Sequence, residues 1–324
     1  MTKIKSRKPK IYPIFLPNAG CRTRCVFCNQ YIMTGEKLPD FRLLKSLEID
    51  ESIDEIAFYG GTFTGLSKEV MKNLLEIYPD IPKRISTSPN CINEEVVEIL
   101  KCGNVKVVEL GVESLDNEVL ETSNRGYKDK DVINAIKLLR NDFHVIAHMM
   151  VGLPKDTKKK DLTSVEKLIE LGVKNYRIHP TIIFKHTVLE QMYLHGKYTP
   201  LTLEESVDIV SDMIILIESN NGSAIRLGYH VPENQKQFIV TGPYHPSFGD
   251  MVRSRIIKKI IEELKVKLVE FNKKYEPWFN AYENKGLNIE KRIITQEDMF
   301  FDGISYVDAL RKLSESRLIR GEDS

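Results

Sequence analysis

The apolar run Ile11-Tyr12-Pro13-Ile14-Phe15-Leu16 is followed, after four residues, by Cys21-Arg22-Thr23-Arg24-Cys25-Val26-Phe27-Cys28. The first stretch predicts a β-strand, because it is short, apolar and rich in β-branched and aromatic residues. The second stretch predicts a loop that carries three thiols just beyond the end of that strand. Runs of the same apolar type recur along the chain, and the predicted strands cover residues 11–16, 55–59, 83–87, 105–110, 145–151 and 175–183.

Helical patterns separate these strands. Residues 131–140, for example, place four apolar side chains at helical spacing, and residues 165–169 begin a similar pattern one unit later. Strands that alternate with helices are typical of a parallel sheet with crossover helices. Six such units within roughly 220 residues predict an α/β fold, a partial (β/α)6 TIM-type barrel, with a doubly wound open sheet as the alternative.

Beyond the sixth strand the pattern changes. It predicts a helix over 203–219, a short strand over 224–229, a turn-rich segment at 242–249 and a helix over 251–266. We therefore predict two domains, a barrel of residues 1–250 and a small C-terminal α/β extension of residues 251–324.

Composition and charge restrict the class of protein. The chain has 324 residues, of which 42% are hydrophobic and 29% charged, and this argues against the collagen-like, disordered and disulfide-scaffold classes. A formal net charge of +1 argues against nucleic-acid binding by overall charge alone. The longest aliphatic run, residues 213–217, is far below the ~20 residues that a membrane span needs. We expect a soluble, cytoplasmic protein with no membrane partner.

The cysteines indicate a metal centre. Five occur, and three of them fall within the eight residues 21–28. An odd count in a chain of this size argues against a disulfide framework. Structural zinc usually takes four protein ligands in paired groups, and the other two cysteines, Cys91 and Cys102, are separated by ten residues. Three thiolates with one open position fit an iron–sulfur cluster better, with zinc as the alternative.

At this point the chain resembles the radical S-adenosylmethionine superfamily, whose signature is CxxxCxΦC with an aromatic residue, here Phe27, before the last cysteine. The resemblance implies that Cys21, Cys25 and Cys28 bind a [4Fe-4S] cluster whose open iron chelates S-adenosylmethionine. It also implies an electron donor such as a ferredoxin or flavodoxin, and reductive cleavage of S-adenosylmethionine to a 5'-deoxyadenosyl radical.

Further segments resemble the cosubstrate-binding motifs of this superfamily. Gly60-Gly61-Thr62 resembles the motif that receives the ammonium group, and glycine would let a ligand approach the main chain there. Glu113 and Arg125 resemble the ribose- and carboxylate-binding residues, and His148 lies in the motif that packs on adenosine. An ordinary loop, a surface arginine and a core histidine are the alternatives. The implied cosubstrate-binding residues are Phe27, Gly60, Gly61, Thr62, Ser86, Glu113, Arg125 and His148.

The narrower resemblance is to the radical domain of the Elongator catalytic subunit and its short bacterial relatives. It is carried by Asn29-Gln30, Gly60-Gly61-Thr62-Phe63-Thr64 and the segments 148–154, 178–201 and 242–249. The resemblance implies a tRNA base as substrate. The chain offers no acetyltransferase-type pyrophosphate loop, so acetyl-CoA use is not expected. Radical chemistry on a small metabolite or tetrapyrrole, and a non-catalytic carrier of an iron–sulfur cluster or haem, remain alternatives.

Two departures from that family bear on substrate choice. Ser86-Thr87-Ser88-Pro89-Asn90 stands where relatives often read Ser/Glu-Thr-Arg-Pro-Asp, and Tyr127 replaces a commoner histidine. A carboxylate and an arginine near the cosubstrate are therefore missing.

Several residues outside the motifs have two interpretations. Cys91 and Cys102 flank a helical stretch. In one interpretation both are buried, inert thiols, and in the other one of them relays a radical. Tyr244 and His245 form a lid or radical-handling site, or belong to a rigid packing loop. The sequence also has two basic clusters, which either contact RNA phosphates or are solvated surfaces. The N-terminal cluster comprises Lys3, Lys5, Arg7, Lys8 and Lys10. The C-terminal cluster comprises Arg253, Arg255, Lys258, Lys259, Lys265 and Lys267.

Overall fold

A computed structural model describes residues 9–280 and 287–320 of the chain. The strands are β1 (Ile11–Phe15), β2 (Glu55–Tyr59), β3 (Lys83–Thr87), β4 (Val105–Glu113), β5 (His144–Val151), β6 (Asn175–Pro180), β7 (Ile183–Phe184), β8 (Ser223–Leu227), β9 (Ile239–Thr241), β10 (Leu268–Asn272), β11 (Glu290–Ile294), β12 (Met299–Phe301) and β13 (Ile304–Ser305). The helices are α1 (Gln30–Thr34), α2 (Lys68–Leu75), α3 (Glu94–Cys102), α4 (Asn117–Thr122), α5 (Asp129–Leu139), α6 (Lys158–Glu170), α7 (Val188–Leu194), α8 (Leu203–Ser219), α9 (Phe248–Leu264), α10 (Glu276–Asn280) and α11 (Tyr306–Arg320).

Seven parallel strands form the main sheet in the order β1-β2-β3-β4-β5-β6-β8. The sheet curls into a half-barrel, which confirms the predicted α/β partial barrel. The short strand expected over residues 224–229 is β8, and it pairs with β6 as a seventh barrel strand. Helix α8 makes this pairing possible, because it returns the chain to the start of the sheet before β8 begins.

Two predicted strands differ at their ends. The fourth strand continues past residue 110 to Glu113 through a register shift between Gly111 and Glu113. The sixth ends at Pro180 instead of residue 183, and β7 pairs instead with β9 in a separate antiparallel ribbon. Proline lacks a backbone N–H, which favours a strand end at this position. Both differences lie at the carboxyl edge of the sheet, where the candidate site lies.

The core lies between the sheet and its outer helices. In α5, the apolar residues Val132, Ile136 and Leu139 are fully buried, as their helical spacing predicts. Full burial of such side chains contributes roughly 1.5–3 kcal/mol each. The same core continues through α8 and α9 to Leu310 and Leu313 of α11.

The C-terminal region contains a four-stranded sheet, in the order β11-β10-β12-β13, and helix α11. The boundary predicted at residue 250 falls inside α9, which packs on α8. The division into domains stays a prediction. In the described ranges, none of the helices has the length and apolar character that crossing a membrane requires.

The basic cluster on α9 is largely paired with acids of α8. Arg253 lies 2.6 Å from Glu218, and Lys259 lies 2.6 Å from Asp212. These half-buried ion pairs favour a structural role over phosphate contacts. Of the N-terminal cluster, Lys3, Lys5, Arg7 and Lys8 lie outside the described residues.

Candidate functional site

A cavity of about 390 Å³ opens at the carboxyl ends of the barrel strands. This is the end at which (β/α) barrels carry their active sites. The structure brings together here all the residues that the sequence singled out as metal and cosubstrate ligands, namely Cys21, Cys25, Phe27, Cys28, Gly60, Gly61, Thr62, Ser86, Glu113, Arg125 and His148.

Cys21, Cys25 and Cys28 lie on the loop between β1 and α1. The Cys28 backbone N–H donates to the Cys25 carbonyl at 3.1 Å, which closes a tight turn between these two cysteines. Cys21 Sγ lies 3.4 Å from the Thr62 hydroxyl, and the Asn18 side-chain amide lies 3.8 Å from Cys28 Sγ. The loop ends at Asn29, whose side chain accepts from the Ile32 N–H and caps α1.

The loop after β2 packs directly on the cysteine loop. A Cβ at Gly61, where φ is +59°, would lie 2.3 Å from the Ala19 carbonyl oxygen. The side chain of Gln30 joins the two loops, since its Oε1 accepts from the Asn18 N–H at 2.5 Å and the Gly61 N–H at 2.7 Å. The packing of the two loops is therefore a further reason for glycine at position 61, and its approach to a ligand stays a prediction.

Burial raises the pKa of two of these thiols, Cys21 and Cys28. Desolvation, followed by the charge of Cys25, raises the pKa of Cys28 to about 12. Desolvation also raises the pKa of Cys21 and outweighs the hydrogen bond with Thr62, which lowers it. Metal binding at these sulfurs requires thiolates, so it would release protons. Among the described residues, no three cysteine, histidine or carboxylate groups converge as a site for a single metal ion.

Glu113 is buried at the end of β4, with a φ of +59° that turns its carboxylate into the cavity wall. His148 Nδ1 lies 3.1 Å from Glu113 Oε2, and Arg125 Nη2 lies 3.4 Å from Oε1. Burial alone would raise the pKa of this carboxyl. The charges of His148 and Arg125 outweigh burial and leave the pKa of Glu113 below its ordinary value.

Arg125 is held by several partners. Its Nη1 donates to Cys25 Sγ at 2.9 Å, its Nη2 donates to the Gly111 carbonyl at 2.9 Å, and its Nε donates to the Tyr127 hydroxyl at 2.8 Å. The guanidinium also lies over the Phe27 ring, 5.9 Å from its centroid. Burial would lower the pKa of Arg125, but the neighbouring Cys25, Tyr127 and Glu113 raise it well above the ordinary value.

Sequence reasoning missed the far wall of the cavity. Arg177, His179, Arg226 and Tyr229 line it, from β6 and the end of β8. Arg177 and His179 are two residues apart on a strand, so they share one face, while the intervening residue is apolar. This alternation was the signal in the sequence.

Other expectations have mixed outcomes. Cys91 is buried and lines the cavity, so inert and relay roles both stay open for it. Cys102 was expected to be buried and is exposed, because it is the last residue of α3. Tyr244 packs against the apolar cluster of Ile182 and Phe184, which line the cavity, but does not line it itself. His245 Nδ1 accepts from the Ser247 N–H at 3.1 Å, as in a packing loop.

Comparisons with known proteins agree with this geometry. An uncharacterized protein of Methanocaldococcus jannaschii is 32% identical over 214 residues, which cover 62% of this chain and 65% of the relative. A tRNA uridine(34) acetyltransferase of the same organism is 33% identical over 132 residues, which cover 39% of this chain and 24% of the relative. The chain thus spans about two thirds of the length of the first relative and about a quarter of the length of the second.

A solved structure shares the fold. The archaeal Elp3 of Methanocaldococcus infernus superposes with a TM-score of 0.57 and 23% identity, covering 63% of this chain and 54% of that one. A family model for the radical SAM superfamily matches residues 15–169, and one for the radical SAM C-terminal domain matches residues 173–258. The chain therefore belongs to the radical SAM superfamily of enzymes, a family that implies a [4Fe-4S] cluster and S-adenosylmethionine.

Proposed function

We propose that Cys21, Cys25 and Cys28 hold the [4Fe-4S] cluster, that S-adenosylmethionine binds beside it, and that the resulting radical acts on a tRNA base. The observation that carries the proposal is the common cavity, whose walls hold the three thiols together with Glu113 and Arg125. Thiolate sulfur is the usual protein ligand of such clusters. The donor set therefore fits the group that the family implies.

The bound cluster would supply one electron to the sulfonium of S-adenosylmethionine, giving methionine and a 5'-deoxyadenosyl radical. Arg125 keeps a positive charge against Cys25 Sγ, which offsets the negative charge of a thiolate there. Gly60, Gly61 and Thr62 would face the amino group of the cosubstrate, while Ser86, Glu113 and His148 would orient its ribose and base. Phe27 covers the guanidinium of Arg125 with an apolar ring and limits the access of water.

Two observations support RNA as the substrate class. The relatives named above include a tRNA uridine(34) acetyltransferase, although the chain spans only 24% of it. Arg22 lines the cavity, is exposed, and has no hydrogen-bond or ion-pair partner in the described part of the chain. A free cation at a cavity mouth favours an anionic substrate such as RNA. An electron donor such as a ferredoxin or flavodoxin is part of the proposal.

Anaerobic reconstitution tests the reaction. The wild-type protein should bind iron and release 5'-deoxyadenosine from S-adenosylmethionine in the presence of dithionite. Cys25→Ala should lose that release, while Cys102→Ala, at an exposed cysteine outside the cavity, should keep it. Iron binding without any release of 5'-deoxyadenosine would contradict the proposal and favour a carrier.

A second experiment tests the substrate. Nucleosides from the tRNA of a deletion strain and its parent are compared by mass spectrometry. We expect one modified nucleoside to disappear in the deletion strain, and to return with the wild-type gene but not with the Cys25→Ala variant. Identical nucleosides in both strains would contradict the tRNA assignment and leave the cleavage reaction to be judged by the first experiment.

A further inference from the structure

Helix α7 carries a group of exposed apolar side chains. Val188 is 56% exposed, Tyr193 is 37% exposed and Leu194 is 63% exposed, and all three belong to the seven residues of this helix. Single exposed apolar residues are ordinary, whereas a group of them is typical of a surface that binds another molecule. The helix does not line the cavity, so this surface is distinct from the candidate site.

The buried side of α7 packs on the cysteine loop. The Leu189 N–H donates to the carbonyl of Val26, which follows Cys25 in the sequence, at 2.8 Å. Leu189 belongs to one apolar cluster with Val26, and Met192, Cys25 and Cys28 pack against that cluster. A single short helix therefore lies between the exposed apolar side chains and two of the three motif cysteines.

A second hydrogen bond attaches the segment before α7 to the same loop. The Asn29 side-chain amide donates to the His186 carbonyl at 3.3 Å, and Asn29 directly follows Cys28. The two ends of the region 25–29 are thus held to residues 186–189. A protein that binds α7 from outside would come close to the cysteines without entering the cavity.

Lysines flank α7 on both sides. Lys185 and Lys197 are exposed, and neither side chain has a hydrogen-bond or ion-pair partner within residues 9–280 and 287–320. The acid between them in the sequence, Glu190, accepts from the His186 backbone N–H at 2.8 Å. Two lysines and one glutamate give the segment 185–197 a net charge of +1, with its histidines neutral. Both lysines are available to an acidic partner.

We propose that α7, with Lys185 and Lys197, is the docking surface for the electron donor, a small acidic protein that carries one electron. The donor is oxidised by one electron, which enters the cysteine loop where Leu189 contacts Val26, and no atom is transferred. This inference rests on the proposed function, because it presumes a cluster at the three cysteines that takes up the electron.

The composition of this surface favours a redox protein over RNA. Redox partners form small interfaces, often below about 1,200 Å², and complementary charges steer their encounter. A few apolar side chains between two lysines suit such an interface. RNA binding depends on many phosphate contacts and on stacking with aromatic rings. Two lysines supply few such contacts, and the aliphatic Val188 and Leu194 cannot stack.

Two reductants test the lysines. The reconstituted protein receives S-adenosylmethionine and either dithionite, which needs no docking surface, or a reduced acidic ferredoxin, and release of 5'-deoxyadenosine is measured against reductant concentration. Lys185→Glu with Lys197→Glu should raise the ferredoxin concentration for half-maximal release about tenfold, because reversed charges slow the encounter with an acidic protein. Release with dithionite should stay at the wild-type rate. An unchanged half-maximal ferredoxin concentration would overturn the proposal.

A second double variant tests the apolar contact. Val188→Ser with Leu194→Ser should raise the same ferredoxin concentration about fivefold, because less apolar surface is buried on docking. This variant keeps both lysines, so its dependence on salt concentration should match that of the wild type. Wild-type kinetics with ferredoxin in this variant would show that the exposed apolar side chains take no part in docking, and would overturn their assignment.

Matched controls change the same residue types elsewhere on the surface. Lys106→Glu with Lys137→Glu reverses two exposed lysines on β4 and α5. Leu43→Ser with Ile293→Ser replaces two apolar residues that are 66% and 56% exposed. Both controls should keep the wild-type response to ferredoxin. An equal loss in the lysine control would show that the effect comes from overall charge and would overturn the assignment to α7.

Binding without turnover separates failure of this inference from failure of the proposed function. Calorimetry measures the affinity of oxidised ferredoxin for the reconstituted protein. If dithionite gives no release but ferredoxin binds the wild type about tenfold more tightly than the lysine variant, the radical reaction is wrong and the docking surface is supported. If dithionite gives release but neither ferredoxin nor flavodoxin binds, the docking surface is overturned and the radical reaction is supported.

Two further outcomes would also overturn the proposal. Loss of iron, or of release with both reductants, in the lysine variant would show that α7 only supports the cysteine loop. Weaker binding of an anticodon stem–loop RNA by that variant, with unchanged ferredoxin kinetics, would show that the surface serves RNA.

Discussion

Arg125 Nη1 lies 2.9 Å from Cys25 Sγ, so a buried cation donates directly to one of the three sulfurs of the cysteine motif. The same guanidinium donates to the Gly111 carbonyl and the Tyr127 hydroxyl, which fixes its orientation. Hydrogen bonds to ligand sulfurs are among the features that set the reduction potential of an iron–sulfur cluster. Arg125 is therefore in a position to affect electron uptake as well as cosubstrate binding.

We expect Arg125→Met to leave the cysteines able to bind a cluster and to make its reduction potential more negative, because a positive donor no longer stabilises the extra electron. The measurement is a potentiometric titration of the cluster without S-adenosylmethionine. Binding of the cosubstrate's carboxylate to Arg125 then does not contribute to the measured potential. Arg24→Met, at an exposed arginine of the same loop, is the control. Equal potentials for wild type and Arg125→Met would show that the contact does not influence the cluster.

The strands of the barrel were predictable because each is short, apolar and separated from the next by a helical pattern. The site residues from the motifs were predictable because consecutive parallel strands place their carboxyl ends at one edge. The positive φ of Glu113 could not be predicted from the sequence. It accompanies the register shift between β4 and β5, which forms only when these two strands pair.

The far wall of the cavity was harder to predict. Arg226 reaches it only because β8 joins the sheet beside β6, and the sequence indicated a strand there without indicating its partner. In the part of the chain that the structure describes, His179 Nε2 has no hydrogen-bond partner, and this too is a property of the assembled cavity. Local patterns specify elements, whereas such contacts depend on how distant elements pair.

Gly61→Ala should destabilise the protein by about 2–4 kcal/mol and reduce iron binding. Its Cβ would lie 2.3 Å from the Ala19 carbonyl oxygen, and a left-handed backbone adds roughly 1–2 kcal/mol for a residue with a side chain. Gly172→Ala is the matched control, because φ there is +84° and its Cβ would meet nothing within 4 Å. Chemical denaturation measures the free energy of unfolding of both variants. An equal decrease for Gly61→Ala and Gly172→Ala would show that the contact between the two loops is not tight.

Asp161 predicts a dependence of stability on pH. The residue is 1% exposed, and burial, then the charge of Asp156, raises the pKa of its carboxyl well above the ordinary value. Between the unfolded and the folded pKa, the native state binds more protons than the unfolded chain. The free energy of unfolding therefore falls as pH rises through this window.

Asp161→Asn should remove that loss, because an amide does not ionise. Its stability relative to wild type should increase from pH 5 toward pH 8, by up to about 1.4 kcal/mol per pH unit over the range in which Asp161 is ionised in the unfolded chain and still protonated in the native state. Anaerobic urea denaturation at several pH values measures the difference. Asp142→Asn, at an exposed carboxylate, should show no such trend, and a parallel pH response of Asp161→Asn and wild type would contradict the assignment.

Arg253 connects the barrel to the C-terminal region. From α9 it forms a two-point ion pair with Glu218 of α8, at 2.6 and 2.7 Å, and donates to the Tyr306 hydroxyl of α11 at 2.9 Å. Arg253→Met leaves the Glu218 carboxylate buried beside Tyr306 without its cation, and should lower the free energy of unfolding by about 3–5 kcal/mol.

The double variant Glu218→Leu with Arg253→Met should recover most of that loss, since the uncompensated charge is then gone. Arg292→Met is the control, because its pair with Glu270 is exposed and should contribute under about 1 kcal/mol. If the C-terminal region is a separate domain despite the shared core, Arg253→Met should unfold in two transitions. The C-terminal region would then unfold at a lower denaturant concentration than the barrel. We expect a single transition instead, because the buried contacts of Arg253 join three helices from both sides of residue 250.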